Sequence, residues 1–568
     1  MAGQFTCQPP AVAHPLEFAM PTGPLRTTTP TIDVYIKLAQ YPILCDRIRM
    51  RMREELFRRG IVDKTEFEQE VKILAMESQR REGLNNPTVQ EDENAWQRRL
   101  ETIRDLHTDN YFANNLGSTL LEQLIDEVLN NQDQAMQAIE LTFNPEIAPW
   151  AMLFEQGSIY DALPPPEQEK VKHHLQEIKV VLIKRLLSDH LPFIRMAKQV
   201  FSIKDLNGIY ERLIGSGKIG GKASGMLLAW HILERANHDF GPNIGKHVTI
   251  PDTFFLGSEV IYEFLLQNKL EKYINQKYLS VEEMRSQYPE IVARCLEGKI
   301  PNYIVEQLRD VLNRLNGRPF VVRSSSLLED HIDYTFAGKY ASVFCPNQGS
   351  PTENFEVLLD SIRRVFASTF NPEAMVERQK HGLIDYDERM AVMIQPLIGH
   401  RYGRYFLPTI VGAGLSQNPW HKEDNRTKEG CLRLKLGLDE RISLPLEESQ
   451  TCIISLTTPD YINGSKALIQ KNVKVVDMEE NDFKVLPISE ILREDYPYGR
   501  FLLDPQTQQL TYDHLINDEK FVRLMRTALT RLDKSYDVPV QFEFAVEIIT
   551  TPSGPDYKLY VLQCHTAV

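Results

Sequence analysis

Three segments of the 568-residue sequence carry residue types whose spacing suits phosphate or a divalent cation. The first, GSGKIGGKASGMLLAWHILERA (215–236), runs a glycine cluster into an apolar-periodic helix with Lys222 at the junction. Glycines let backbone approach a phosphate closely, and a helix N-terminus offers unbonded N–H groups to an anion. No GK[ST] closes the segment as in a Walker A loop, and glycine-rich turns before helices also occur without a ligand. The second, RPFVVRSSSLLEDHIDYTFAGKYAS (318–342), reads as an apolar strand delivering Arg323. Three serines, the acids Glu329 and Asp330 and the turn TFAG (335–338) follow. The planar fork of Arg suits phosphate, and hydroxyls with turn N–H groups can complete a cradle. The plain alternative is a surface arginine before a polar loop. The third is VPVQFEFAVEIITTPSGPDYKLYVLQCHTAV (538–568), which alternates. Val540, Phe542, Phe544 and Val546 point one way; Gln541, Glu543 and Glu547 point the other. With TPSGPD as a turn and KLYVLQCH as the returning strand, Glu543 falls across from Gln563 and Gln541 across from His565. An acid with neighbouring amides can hold Mg2+ through oxygen ligands. A half-buried hairpin with a solvated polar face would give the same pattern.

The remaining chain must position these segments. Residues 1–30 are rich in Pro and Thr and read as a flexible arm. Residues 31–200 read as mainly α-helical. DRIRMRMREELFRRG, EFEQEVKILAMESQRREGL, ENAWQRRLETIRDL and STLLEQLIDEVL repeat a helical spacing, and EQEKVKHHLQEIKVVLIKRLL follows Pro164-Pro165-Pro166. This region is expected to be a bundle that packs on something else rather than a catalytic unit. After about residue 205, β-like runs such as KHVTIPDTFFLG, RPFVVRSS and RMAVMIQPL alternate with helices such as ENFEVLLDSIRRVFASTF. An α+β or α/β body is expected there.

Composition excludes several classes. Lys+Arg total 64 against Asp+Glu 78, a net charge of −14, so no basic footprint for nucleic acid dominates. The seven cysteines include no CxxC pair, which argues against a disulfide framework or structural zinc. The start lacks a secretory pattern and no apolar run approaches the roughly 20 residues that span a bilayer. A cytoplasmic protein without a membrane role is expected by elimination.

In this order the segments resemble the nucleotide-binding region of the phosphoenolpyruvate synthase and pyruvate phosphate dikinase family, over about residues 205–565. GGKASGM resembles the family's GGK-containing loop, and VVRSSSLLEDHIDYTFAG is very similar to its VRSS…ED…SFAG signature. VLLDSIRRVFASTFNPEAMVERQKHG, MAVMIQPLIG, LGLDER (436–441) and FEFAVE…LYVLQCH resemble further family segments. The resemblance implies an ATP-grasp-like α+β body, with a first part at 205–350 and a second at 351–568. It implies ATP and Mg2+ as ligands. Lys222 and Arg323 would hold the phosphates, with Ser324 and Gly338 beside them. Gln395 would lie near the adenine, Glu440 would face the nucleotide pocket, and Glu543 would be a metal ligand with Gln563 next to it. His565 stands where the family has a catalytic arginine.

Two residues depart from the family pattern. Gln541 replaces an acid, and an amide binds Mg2+ less strongly than a carboxylate. His565 lacks the planar fork of arginine. No GGxxSHA-like phosphohistidine segment and no room for a pyruvate-binding barrel is found before Val568. The expectation is therefore an ATP-dependent phosphotransferase acting on a histidine of a separate partner. A noncatalytic ATP-binding regulatory or scaffold module is the main alternative, and a ligase working through an acyl phosphate is a third.

Overall fold

The computed structural model describes residues 29–39, 41, 44–82, 93–130, 144–235, 243–329, 336, 338–417, 430–439, 452–456, 459–462, 470–493, 495–504, 506–507, 509–552 and 554–567. Most of the expected flexible arm and the expected site residue Glu440 lie outside these residues. The chain divides into two compact units, Met1–Leu153 and Phe154–Val568.

The first unit is helical in its described part. Its helices are Thr29–Ala39, Cys45–Arg58, Lys64–Arg81, Glu93–Asn115 and Ser118–Asn130, and the start of Trp150–Asp161 follows. Spacing explains the packing. Ile48, Met52 and Leu56 recur every fourth residue and are buried, as are Phe67, Val71 and Ala75 on the next helix. Asp63 caps the Lys64–Arg81 helix by accepting from the Thr65 N–H. Inside the unit Arg49 binds Asp109 and Asp105, and Glu70 accepts from the Tyr111 hydroxyl.

The expected helical stretch 31–200 does not behave as one body. Its last part, from Phe154, belongs to the second unit. There the Pro165–Leu186 helix starts on prolines, which tolerate the first turn because they lack an N–H. The backbone of Ile219 in the glycine loop donates to the Leu186 carbonyl, tying that helix to the site.

The second unit holds the sheets. Its strands are β1 (Leu213–Ile214), β2 (Val248–Thr249), β3 (Phe254–Leu256), β4 (Phe320–Ser326), β5 (Ser342–Cys345), β6 (Met390–Pro396), β7 (His400–Tyr402) and β8 (Tyr405–Leu407). Then come β9 (Ile410–Leu415), β10 (Cys431–Lys435), β11 (Cys452–Ser455), β12 (Asp460–Tyr461), β13 (Asn472–Asp477), β14 (Asp482–Pro487), β15 (Val540–Thr551) and β16 (Gly554–Thr566). Among the described residues they form a five-stranded sheet β1-β3-β6-β4-β5, a seven-stranded sheet β12-β11-β10-β9-β15-β16-β2 and a four-stranded sheet β14-β13-β8-β7. β6, which follows residue 350, lies between β3 and β4, and β2, which precedes it, lies on the edge of the seven-stranded sheet. Strands from before and after residue 350 therefore interleave. The protein is mixed α/β, with a helical N-terminal region and a sheet-bearing body. No described helix is long and apolar enough to cross a membrane.

Two layers matter for the site. Phe542 and Phe544 of β15 are fully buried on one face of the seven-stranded sheet, their ring centroids 5.2 Å apart. Burying each contributes roughly 1.5–3 kcal/mol. The amphipathic helix Glu519–Tyr536 covers that face and buries Leu529 near Phe542. The helix Gly221–Glu234 packs on both β16 and β4, so one short helix joins the two sheets.

Candidate functional site

The glycine cluster does its first work against protein rather than ligand. Gly220 has φ 83°, and a Cβ there would lie 1.6 Å from the Ser325 carbonyl oxygen. A Cβ on Gly221 would lie 1.7 Å from that of Glu329. Only residues without a side chain permit this approach. The loop consequently docks on the end of β4. Ser325 Oγ donates to the Ile219 carbonyl at 2.8 Å and accepts from the Ala223 N–H at 3.0 Å. One of the unbonded N–H groups at the helix start is thus satisfied by a hydroxyl.

Lys222 is buried at this junction. Its Nζ lies 3.0 Å from Glu329 Oε1 and 3.4 Å from Ser324 Oγ. Glu329 is 1% exposed and also accepts from Ser324 Oγ at 2.9 Å and from the Ser326 N–H at 2.9 Å. Ser326 Oγ accepts in return from the N–H groups of Leu328 and Glu329. This reciprocal Ser-x-x-Glu arrangement is that of a capping box. The pattern S-L-L-E in the sequence could have marked Glu329 as the anchor of the loop, a role the sequence reading missed.

Arg323 alternates to the other face of β4 and reaches the hairpin. Its Nη2 donates to Glu543 Oε2 and to Gln563 Oε1, each at 2.8 Å, and its Nη1 to the Leu562 carbonyl at 3.4 Å. The expected register holds, with Glu543 opposite Gln563 and Gln541 opposite His565. Just past Glu543 the ladder slips, since Phe544 pairs with Val561. Leu562 is the extra residue of this bulge, and its carbonyl is free to take the guanidinium. The polar face of the hairpin is not solvated here. Glu543 is 5% and Gln563 2% exposed, because Arg323 lies against them, while Glu547 further along is exposed.

His565 is buried with Nδ1 2.8 Å from the Thr566 carbonyl oxygen, and its Nε2 has no hydrogen-bond partner. Gln541 opposite it has an unpartnered Nε2. Gln395 is buried on β6 and its amide donates to Thr253 Oγ1 and Met226 Sδ, each at 3.3 Å. It lies under the Gly221–Glu234 helix and pairs with Val321, two residues before Arg323 on β4. Gly338 takes φ 73° in an exposed turn beyond β4. The geometry thus gathers Lys222, Ser324 and Glu329 in one cluster, and Arg323, Glu543 and Gln563 in another. Consecutive residues of β4, Arg323 and Ser324, link the two.

Two further groups were not anticipated. Arg433 on β10 pairs with Ala413 on β9, which pairs with Glu543, which pairs with Gln563. One row across four strands therefore carries Arg433, Glu543 and Gln563 on the same face. Arg433 is 4% exposed, and burial lowers its pKa against the pull of Asp439. The alternation in CLRLK was the available signal. Near the Glu329 end, Glu388 is buried, and desolvation raises its pKa from 4.5 to about 7. Ser326, Arg378 and the Leu328 backbone pull the other way, but burial outweighs them.

A helical region followed by a sheet-bearing body, in which Arg323 of β4 closes over a carboxylate and an amide on the terminal hairpin, defines a mixed α/β protein. The particular family follows from the sequence match. Residues 216–567 match the family described as pyruvate phosphate dikinase, AMP/ATP-binding domain, and the chain belongs to it. The matched span contains every site residue named above, from Lys222 to His565. No curated protein matches the sequence.

Proposed function

We propose that the chain binds ATP with Mg2+ and transfers a phosphoryl group from it to a histidine on a separate partner protein. The observation that carries this reading is the meeting of Arg323 with Glu543 and Gln563 at 2.8 Å. A phosphate-type cation and a carboxylate–amide pair, 220 residues apart in sequence, converge inside a domain of an AMP/ATP-binding family. In this reading Arg323 exchanges its carboxylate partner for nucleotide phosphate, and Glu543 and Gln563 are released to hold the cation. Their oxygen donors fit a hard divalent ion. A bound Mg2+ would neutralise charge on the phosphates. Ser324, one residue further along β4, and Lys222 beside it on the Gly221–Glu234 helix add donors. Gln395, Gly338 and Glu440 are proposed to border the nucleotide. Such a site works by positioning and electrostatic stabilisation rather than by covalent chemistry of its own.

A second reading, an ATP-binding module with attenuated or no turnover, is favoured by Gln541 and His565, which stand where the family carries an acid and an arginine. The test follows γ- and β-labelled ATP with magnesium into ADP, AMP and protein-bound label. Arg323→Ala is expected to cut turnover by about 10²–10³, the range for removing one preorganised donor. Turnover that survives both Arg323→Ala and Lys222→Ala overturns the site. Tight ATP binding with no turnover under any condition selects the second reading.

A further inference from the structure

His565 is 5% exposed, and its ring is held in one orientation by the Thr566 carbonyl 2.8 Å from Nδ1. A carbonyl oxygen can only accept, so Nδ1 donates to it and Nε2 is left as the ring atom open to a ligand. Nε2 has no hydrogen-bond partner. An orphaned buried polar atom is destabilising unless a ligand satisfies it. His565 pairs with Gln541, and Gln563 with Glu543, in successive positions of the hairpin, so all four side chains share one face. Diagonal neighbours across such a pair lie roughly 7–8 Å apart at Cα, a span two side chains close around a shared ion. Imidazoles that bind metals characteristically donate their other N–H to a carbonyl or carboxylate, as Nδ1 does here.

We propose that His565 Nε2 is a metal ligand beside Glu543, and that this nitrogen donor turns the cation site from Mg2+ towards a first-row transition ion. The inference rests on the reading of Glu543 as a cation-holding carboxylate. Mg2+ takes oxygen ligands almost exclusively, whereas imidazole suits borderline transition ions. The neutral Gln541 opposite fits the same picture. It adds no charge that would favour a hard ion.

Mn2+ is the probe, added to the full chain with the β,γ-methylene analogue of ATP and observed by electron paramagnetic resonance. Pulsed spectra should show coupling to a directly bound imidazole nitrogen, which His565→Gln removes. The same substitution should weaken Mn2+ by on the order of tenfold or more while changing Mg2+ binding little. Co2+ should displace bound Mn2+ more readily than Mg2+ does. Bound Mn2+ without imidazole coupling, or with unchanged affinity in His565→Gln, overturns the inference. Glu543→Gln separates the two claims. If it abolishes Mn2+ binding while His565→Gln does not, the cation role of Glu543 stands and that of His565 falls. If Mn2+ binding is indifferent to Glu543→Gln, the underlying reading falls as well.

Discussion

Lys222 carries two demands at once. Its ammonium pairs with Glu329, and the two side chains are 6% and 1% exposed. Removing one member of a buried pair strands the other charge and costs about 3–5 kcal/mol. Lys222→Ala should therefore lower stability by that order, read as a drop in urea midpoint. Lys222→Met combined with Glu329→Gln should lose less, since no charge is then stranded. A loss of turnover in Lys222→Ala is attributable to phosphate binding only in protein that remains folded. Glu388 makes a second residue-scale prediction. Its folded pKa of about 7 lies above the ordinary 4.5, so the folded state holds a proton that the unfolded chain has released in between. Stability is then greatest below about 4.5 and falls as pH rises to about 7, by roughly 3 kcal/mol in all. Glu388→Gln should remove this contribution, flattening the urea midpoint between pH 5 and 8. An unchanged slope in that variant would show that Glu388 does not titrate there.

Single elements decide whether the two clusters meet. The Gly221–Glu234 helix is clamped on β4 by its preceding glycines, and it also packs on β16. Gly220→Ala places a Cβ 1.6 Å from a backbone oxygen at φ 83°, so backbone rather than a flexible side chain must move. The expected result is a loss of several kcal/mol, seen as a large fall in melting temperature together with loss of ATP binding. Gly60→Ala, where nothing lies within 4 Å of the added Cβ, is the control for φ 66° alone. The hairpin was readable as an element. Alternation placed Phe542 and Phe544 on the apolar face and gave the pairs Glu543–Gln563 and Gln541–His565. The bulge at Leu562 was not readable, because no local residue demands it. Its carbonyl finds a partner only when Arg323 arrives from β4.

At the scale of the whole molecule the two units should respond differently to nucleotide. A ligand that binds only the folded state stabilises the unit it contacts, by about 2.7 kcal/mol at 100 times its Kd. Calorimetry of the full chain with a non-hydrolysable ATP analogue should shift the transition of the Phe154–Val568 unit and leave that of the helical unit in place. A common shift of both would mean that the units unfold as one.

From the sequence alone came what is local. Periodicity gave the helices of the first unit, the alternating hairpin and the strand ahead of Arg323, because side-chain period follows backbone geometry. The ordered motifs gave the family. Tertiary structure decided what depends on contacts far apart in the chain. It assigned residues from 154 onward to the sheet-bearing unit, set β6 between β3 and β4, and gave Lys222 a buried carboxylate for a partner. It also closed Arg323 over Glu543, 220 residues away. No periodicity encodes such a pairing, since it arises only where separate layers pack and exclude water from the groups between them.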